Sequence, residues 1–254
     1  MRPLNELPTG DIRGVFSDVD DTLTTRHRLV PAAYAALCEA VDAGLRVMLA
    51  TGRPGGYAEV LSTLFPVAAV VSENGAYAVL HDGTRRFWDP ADVRAEQRRR
   101  LDALVAEAQR RLPFAVLADD HPLRRVDVAF DIHERRHLEP AQVSELSAFI
   151  REAGARVLVS SIHAHAYFGD HDKAKMLVRL ASELWGEAPE AVQAHYVFAG
   201  DSPNDQAGFA FFACAVGVAN VRRYEAQLDP PPPFVAEREG GEGFAEIIRH
   251  VLRR

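Results

Sequence analysis

The sequence predicts an α/β fold of the Rossmann-like, doubly wound class. Three apolar runs, at residues 12–16, 45–50 and 68–71, are separated by helical patterns, and a fourth follows at 196–199. Strands that are apolar throughout are buried on both faces, and their alternation with helices is typical of a parallel sheet covered on both sides. We therefore expect these segments to form one parallel sheet.

A different pattern interrupts this sheet between residues 85 and 168. An Arg-rich amphipathic helix is predicted at 92–111, and residues 126–132 alternate between apolar and mostly acidic side chains, which indicates a half-exposed strand. Residues 156–160 and 162–168 are expected to pair as antiparallel strands. We interpret the stretch as an inserted α+β cap. The expected domains are a Rossmann-like core, 1–84 and 169–254, and a cap, 85–168.

Local signals predict the remaining elements of the core. Pro31 suits a first helical turn and Gly44 suits a helix C-terminus, so a helix is expected at 31–43. Its apolar face carries Tyr34, Leu37, Cys38 and Val41. The other expected elements are, in order, a helix ending at 64, a hairpin at 76–88, a helix at 173–185, a helix at 206–212, a strand at 213–218, a short strand at 234–236 and a helix at 244–252.

Composition limits the classes of function. The net charge of −7 over 254 residues argues against a protein that binds nucleic acids or acidic membranes. Cys38 and Cys214 form no CxxC motif, and both are expected to be buried, reduced thiols of a cytoplasmic protein. The N-terminus has no apolar signal core, and the longest uncharged run, 206–221, is too short to span a bilayer comfortably. We expect a monomer or a homodimer.

The loop after the first strand carries two carboxylates and a hydroxyl, Asp18, Asp20 and Thr22. Two acids so close repel each other unless a cation lies between them or one stays protonated. The arrangement suggests an Asp nucleophile, an Asp acid/base and a hard divalent metal. A calcium loop would require Gly at its sixth position and Glu at its twelfth, where this chain has Leu23 and Leu29.

Other polar residues also follow buried strands. Thr51 ends the second apolar run and Asn74 follows the third. Ligands of open α/β sheets bind beyond the carboxyl ends of the strands, so these residues and Asp18 are expected at one edge.

Four elements occur along the chain in a fixed order: Asp18-x-Asp20-x-Thr22, Thr51-Gly52-Arg53, Lys173 and Gly200-Asp201-Ser202-Pro203-Asn204-Asp205. With this set the chain resembles the haloacid dehalogenase-like superfamily of aspartyl-phosphate phosphatases. In particular the chain is similar to the Cof-type branch, in which a large α+β cap is inserted after the third strand.

The resemblance implies a role for each of these positions. Asp18 would be the nucleophile and Asp20 the acid/base, while Thr51, the Gly52 N–H and Lys173 would bind the phosphoryl group.

The resemblance also implies a Mg²⁺ site. Asp18, the Asp20 carbonyl and Asp201 would be ligands, and Asn204 and Asp205 would ligate or orient this shell, with Asn204 also near the phosphate.

Two positions allow more than one interpretation. Lys175 competes with Lys173 for the cationic role, because both lie at the start of a predicted helix. Asp21 stands where Gly is more usual in the family motif, and Asp tolerates a positive φ better than most residues.

The cap supplies candidate substrate residues. His163 and His165 share one face of a predicted strand, and either a hydrogen bond to substrate hydroxyls or a structural role suits them. A zinc site with Asp170, His171 and Asp172 is less favoured, because His spacing alone is a weak signal. The further candidates at the mouth of the site are Arg53, Glu73, Asn74 and Arg125.

The resulting hypothesis is a Mg²⁺-dependent phosphomonoesterase that acts on a small phosphorylated sugar or polyol. The stretches 160–163 and 200–205 resemble those of sugar-phosphate members, such as the sucrose-phosphate and mannosyl-3-phosphoglycerate phosphatases. The alternatives are a sugar phosphomutase and a non-catalytic sugar-phosphate-binding regulator. A dehalogenase is disfavoured, because it would not need Asp20 or a metal.

Overall fold

The structure, a computed structural model, describes residues 1–160 and 162–253. Ser161, which belongs to one of the motif stretches above, lies outside these residues. The strands are β1 (Arg2–Pro3), β2 (Gly14–Asp18), β3 (Thr24–Thr25), β4 (Arg28–Leu29), β5 (Arg46–Ala50), β6 (Ala69–Ser72), β7 (Tyr77–Leu80), β8 (Arg85–Phe87), β9 (Val128–Asp131), β10 (Arg156–Val159), β11 (His163–Tyr167), β12 (Tyr196–Gly200), β13 (Cys214–Gly217) and β14 (Phe234–Val235).

Helices connect most of these strands. They are α1 (Pro31–Asp42), α2 (Gly55–Leu64), α3 (Ala91–Arg111), α4 (Pro140–Glu152), α5 (Lys173–Trp185), α6 (Pro189–His195), α7 (Gln206–Phe211) and α8 (Gly240–Leu252). No helix in the described ranges combines the length and the apolar character needed to cross a bilayer.

The described residues form a large sheet of nine strands in the order β1-β14-β13-β12-β2-β5-β6-β7-β8. Pairing is parallel from β1 to β6 and antiparallel in the β6–β7–β8 hairpins. Two apolar cores cover its faces, and neighbouring residues of one strand point into different cores, as Val15 and Phe16 do. Both faces are therefore buried, which explains the continuous apolar runs, and the predicted α/β fold is confirmed.

A second, antiparallel sheet has the order β10-β11-β9. One of its faces carries Val128, Phe130, Ala164 and Ala166, which pack in a third apolar core with α3 and α4. The sequence predicts a half-exposed strand here, but all four residues of β9 are buried. The reason is that β9 pairs with β11, whose His165 lies beside Gly52 at the edge of the large sheet. The domain boundaries stay a prediction. Strand β8, which starts at Arg85 where the predicted cap begins, pairs with β7 of the large sheet.

Helix α1 differs in detail from its prediction. Its buried residues are Ala33, Ala36, Leu37 and Ala40, whereas Tyr34 is 40% exposed. Small residues face inward because α1 packs against α8. Cys38 is only partly buried, so its predicted burial was wrong, while Cys214 is buried, and both thiols are free.

Candidate active site

The polar residues that follow the parallel strands meet at one edge of the large sheet. Strand β2 lies between β5 and β12, and its last residue, Asp18, is in register with Ala50. Thr51 and Asp201 directly follow the two neighbouring strands. This topology brings distant parts of the chain together, as the strand-end pattern predicts.

Lys173 contacts two carboxylates of this edge. It lies at the start of α5 and is 1% exposed, and its Nζ is 2.6 Å from Asp18 Oδ1 and 2.8 Å from Asp205 Oδ1. Although burial would lower its pKa, the two carboxylates raise it above the ordinary value, so the amine stays charged. Lys175 pairs instead with Asp170 at 3.3 Å, so Lys173 is the lysine that lies at these carboxylates.

Three carboxylates form a buried cluster around this lysine. One oxygen from each of Asp18, Asp201 and Asp205 lies within 4.8 Å of the others. Burial raises the pKa of Asp18 and of Asp201 well above the ordinary value, and repulsion between the carboxylates adds to it. Lys173 offsets only one negative charge of the cluster. An excess of buried carboxylate oxygens suits a hard divalent cation.

The outer contacts of the cluster hold its members in place. Asp205 Oδ2 accepts from the backbone N–H groups of Asp201, at 2.9 Å, and Ser202, at 3.3 Å. Asp201 Oδ2 accepts from Asn220 Nδ2 at 3.0 Å, and the Thr22 hydroxyl is 3.5 Å from the other oxygen of Asp201.

Sequence reasoning missed Asn220. The signal that could have found it is the strand-end rule, because Asn220 follows β13 at the same edge of the sheet. It also donates to the Asp21 carbonyl and accepts from the Gly240 N–H. Asp21 itself has φ +57°, so the residue that replaces the usual Gly adopts the left-handed conformation.

Asp20 is held by a salt bridge to the loop after β5. Both of its oxygens lie 3.1 Å from Arg53 Nε, and the Thr51 hydroxyl is 3.4 Å away. Arg53 also donates to Glu134 of the cap at 2.8 Å. Glu134, which the sequence did not single out, therefore links the cap to the candidate acid/base.

The cap presents both predicted histidines to the site. His163 Nε2 is 2.9 Å from Glu134, and His165 Nδ1 is 2.9 Å from Asp127. The two rings line a small cavity of about 20 Å³, together with Asp18, Asp20, Gly52, Arg53, Ser160, Ile162, Ser202 and Asn204. In the described ranges, no cluster suited to a metal combines His163 or His165 with Asp170, His171 or Asp172, as a zinc site would require.

Three of the predicted substrate residues, Glu73, Asn74 and Arg125, are not among the residues that line this cavity. The Glu73 carboxylate is fully buried and accepts from the backbone N–H groups of Gly55, Arg125, Val126 and Asp127, at 2.7–2.9 Å. The Arg125 side chain is 44% exposed and pairs with Glu59.

Its neighbour Arg124, by contrast, is buried beside the cavity and donates to the Gly52 carbonyl at 3.1 Å. Asn74 is also buried, with both amide atoms unpartnered within the described residues, and these atoms lie beside Gly52. Of the candidates at the mouth, Arg53 alone lines the cavity in the described part of the chain.

Comparisons with known proteins identify the family of the chain. The sequence profile of haloacid dehalogenase-like hydrolases matches residues 15–121. A phosphoglycolate phosphatase of Methanoculleus marisnigri is 30% identical over 243 residues, which cover 94% of this chain and 96% of that protein.

Solved structures share the fold. A Thermoplasma acidophilum protein is 22% identical with a TM-score of 0.75, covering 95% of this chain and 98% of that one. The sucrose-phosphatase of Synechocystis sp. PCC6803, solved with sucrose and phosphate, is 20% identical with a TM-score of 0.70, covering 94% and 98%. The chain therefore belongs to the haloacid dehalogenase-like hydrolase family and is a phosphatase of that family.

Proposed function

We propose that this phosphatase hydrolyses small phosphomonoesters through an aspartyl-phosphate on Asp18, with Mg²⁺ as cofactor. The observation that carries the proposal is the buried Lys173 ammonium, which bridges Asp18 and Asp205 beside the Asp201 carboxylate. An aspartate nucleophile needs positive charge next to it, both to stay ionised and to approach a phosphate dianion.

In the first half-reaction, an Asp18 carboxylate oxygen attacks phosphorus, and the bond between phosphorus and the substrate oxygen breaks. Asp20 gives a proton to the departing alkoxide oxygen. The Thr51 hydroxyl and the Gly52 N–H bind phosphoryl oxygens, and Lys173 neutralises their charge.

In the second half-reaction, water attacks the phosphorus of the aspartyl-phosphate. Asp20 accepts the proton of that water, and the bond between phosphorus and Asp18 breaks. Inorganic phosphate leaves, and both carboxylates return to their starting protonation states.

The carboxylate cluster fits an oxygen-ligated cation. Asp18 and Asp201 would be side-chain ligands and the Asp20 carbonyl a backbone ligand. Both Asp205 oxygens already accept hydrogen bonds, from Lys173 and from backbone N–H groups. Asp205 would therefore orient the groups around the metal ion instead of binding the ion itself. A bound Mg²⁺ would add positive charge where a metaphosphate-like transition state develops negative charge.

For the substrate we propose a small sugar or polyol phosphate. The cavity is lined on the cap side by Ser160, Ile162, His163 and His165, and these mostly polar side chains suit the hydroxyl groups of such an ester. A second candidate is phosphoglycolate, because a relative that spans almost the whole chain carries the name phosphoglycolate phosphatase.

Release of inorganic phosphate from a panel of phosphorylated metabolites with Mg²⁺ tests the function. The wild-type protein should release phosphate without a bisphosphate activator, which a phosphomutase would need, and Asp18→Asn should lose turnover. Asp119→Asn, on an exposed side chain of the cap, is the matched control. Turnover retained by Asp18→Asn would refute the mechanism, and a flat wild-type response across the panel would favour a non-catalytic sensor.

A further inference from the structure

On the cap side of the cavity, contacts with Asp127 and Arg124 determine which ring nitrogen of His165 donates a hydrogen bond and which accepts one. His165 is 1% exposed, and its Nδ1 lies 2.9 Å from Asp127 Oδ2. The other oxygen of Asp127 accepts from Arg124 Nη1 at 2.8 Å, and Arg124 also donates to Asp120. Since a guanidinium can only donate, this chain of contacts has one consistent direction.

The direction determines which nitrogen of His165 carries hydrogen. Burial would raise the pKa of Asp127, but the charge of Arg124 and the hydrogen bond from His165 lower this pKa below the ordinary value. Asp127 is therefore an acceptor. Burial lowers the pKa of His165 to about 4, so the ring is neutral at neutral pH. Its hydrogen therefore lies on Nδ1, and Nε2 carries a lone pair.

The Nε2 atom that carries this lone pair lies at the surface of the cavity. The ring lines the cavity, and Nε2 lies 3.3 Å from the point where a Cβ on Gly52 would be. The His163 ring packs edge-on against His165, with a centroid distance of 5.7 Å. An acceptor thus stands next to the loop that is proposed to bind the phosphoryl group.

We propose that His165 is a specificity-determining residue, whose Nε2 accepts a hydrogen bond from a substrate hydroxyl close to the phosphate. This inference rests on the proposed function and specifies its substrate class: phosphomonoesters of sugars or polyols, rather than of carboxylic acids. A carboxylate has no hydrogen to donate, so its oxygens would face the lone pair without a bond. A site built to bind a hydroxyl discriminates strongly against analogues that lack one.

The first experiment removes the acceptor atom Nε2 of His165 and keeps the hydrogen bond to Asp127. In His165→Asn, the amide Nδ2 can replace Nδ1 as donor to Asp127, but no atom replaces Nε2. Glycerol 3-phosphate and glucose 6-phosphate are the hydroxylated probes, propyl phosphate lacks hydroxyls, and phosphoglycolate carries a carboxylate.

We expect the wild-type protein to prefer a hydroxylated probe. His165→Asn should lower kcat/KM for that probe by about 10- to 100-fold. Its kcat/KM for propyl phosphate should stay within about twofold of the wild-type value. Equal losses on both esters would indicate a purely structural role, and a wild-type preference for phosphoglycolate would also overturn the inference.

The second experiment reverses the tautomer. In Asp127→Asn, Arg124 still needs an acceptor, so the amide oxygen must face Arg124 and the amide NH₂ must face His165 Nδ1. His165 then has to carry its hydrogen on Nε2, which becomes a donor towards the cavity. We expect the ratio of kcat/KM for phosphoglycolate over the hydroxylated probe to rise by at least tenfold, with Asp119→Asn as control.

The ¹⁵N resonances of the His165 ring, recorded without substrate, check the tautomer directly. The wild-type protein should show a protonated Nδ1 and an unprotonated Nε2 at pH 7, and the reverse in Asp127→Asn. A wild-type ring protonated on Nε2 would overturn the inference even if the aspartyl-phosphate mechanism holds. Turnover retained by Asp18→Asn would refute that mechanism without changing this spectrum, so the two failures can be told apart.

Discussion

Lys173 is a buried cation among three carboxylates, and its replacement tests the electrostatics of the site. Lys173→Met should lower kcat/KM by about 10²–10³-fold, because the transition state loses a preorganised positive charge. Steady-state phosphate release measures this loss.

Lys175→Met is the matched control, because that side chain is 44% exposed and pairs with Asp170 and Asp172 at the surface. It should retain nearly wild-type rates. A similar loss in both variants would mean that the start of α5, rather than the Lys173 charge, matters.

Asn220 contacts Asp201 of the cluster, so its replacement should weaken the proposed metal site. Asn220→Ala removes the donor to Asp201 Oδ2 and leaves the Gly240 N–H without its acceptor. We expect the Mg²⁺ concentration for half-maximal activity to rise by about 10- to 100-fold, as is usual when a partner of a metal ligand is lost. An unchanged Mg²⁺ titration, with an unchanged melting temperature, would contradict this role.

At the level of elements, Glu73 joins the start of α2 to the segment that leads into β9. In Glu73→Gln, the amide NH₂ would face N–H groups that now donate to the carboxylate. The variant should lose about 2–4 kcal/mol of stability, because buried N–H groups remain without an acceptor.

Urea unfolding measures the effect of Glu73→Gln. Glu59→Gln on α2, whose side chain is 29% exposed and contacts Arg125, should cost less than about 1 kcal/mol. Equal costs in the two variants would show that the backbone contacts of Glu73 add nothing.

Much of the candidate active site follows from the sequence, because strand ends are local signals. Apolar runs locate β2, β5 and β12, and the parallel arrangement then places Asp18, Thr51 and Asp201 at one edge.

Contacts across the cap depend on how two sheets face each other, which no local pattern encodes. That is why Glu134 was missed, and why Arg125 was expected at the mouth although its buried neighbour Arg124 is the one that contacts Gly52. Glu73 looked like a strand-end ligand because a buried carboxylate with backbone partners has the same sequence signature.

At the scale of the whole molecule, Arg53 and Glu134 tie the cap to the core. The hydrogen bond from His163, together with that from Arg53, lowers the pKa of Glu134 to about 2, although burial of the carboxylate acts in the opposite direction. A lowered pKa contributes stability above the unfolded pKa of about 4.5, and this contribution is lost as the pH falls towards 2.

Glu134→Gln should therefore be less stable than wild type by about 1–2 kcal/mol at pH 6, after allowance for partial exposure of the side chain. The difference should fall below half of that value at pH 3. Urea unfolding at both pH values measures it, with Glu152→Gln on the exposed side of α4 as control. A difference that does not change with pH would contradict the salt-bridge contribution.

The order of strands in the large sheet has a consequence for biosynthesis. Strand β2, near the start of the chain, pairs with β12, which is translated about 180 residues later. A nascent chain on the ribosome therefore holds Asp18 long before Asp201 and Asp205 exist. The cap, whose sheet is made from consecutive segments, can form during that interval, whereas the phosphate-handling edge is completed only when the last third of the polypeptide emerges.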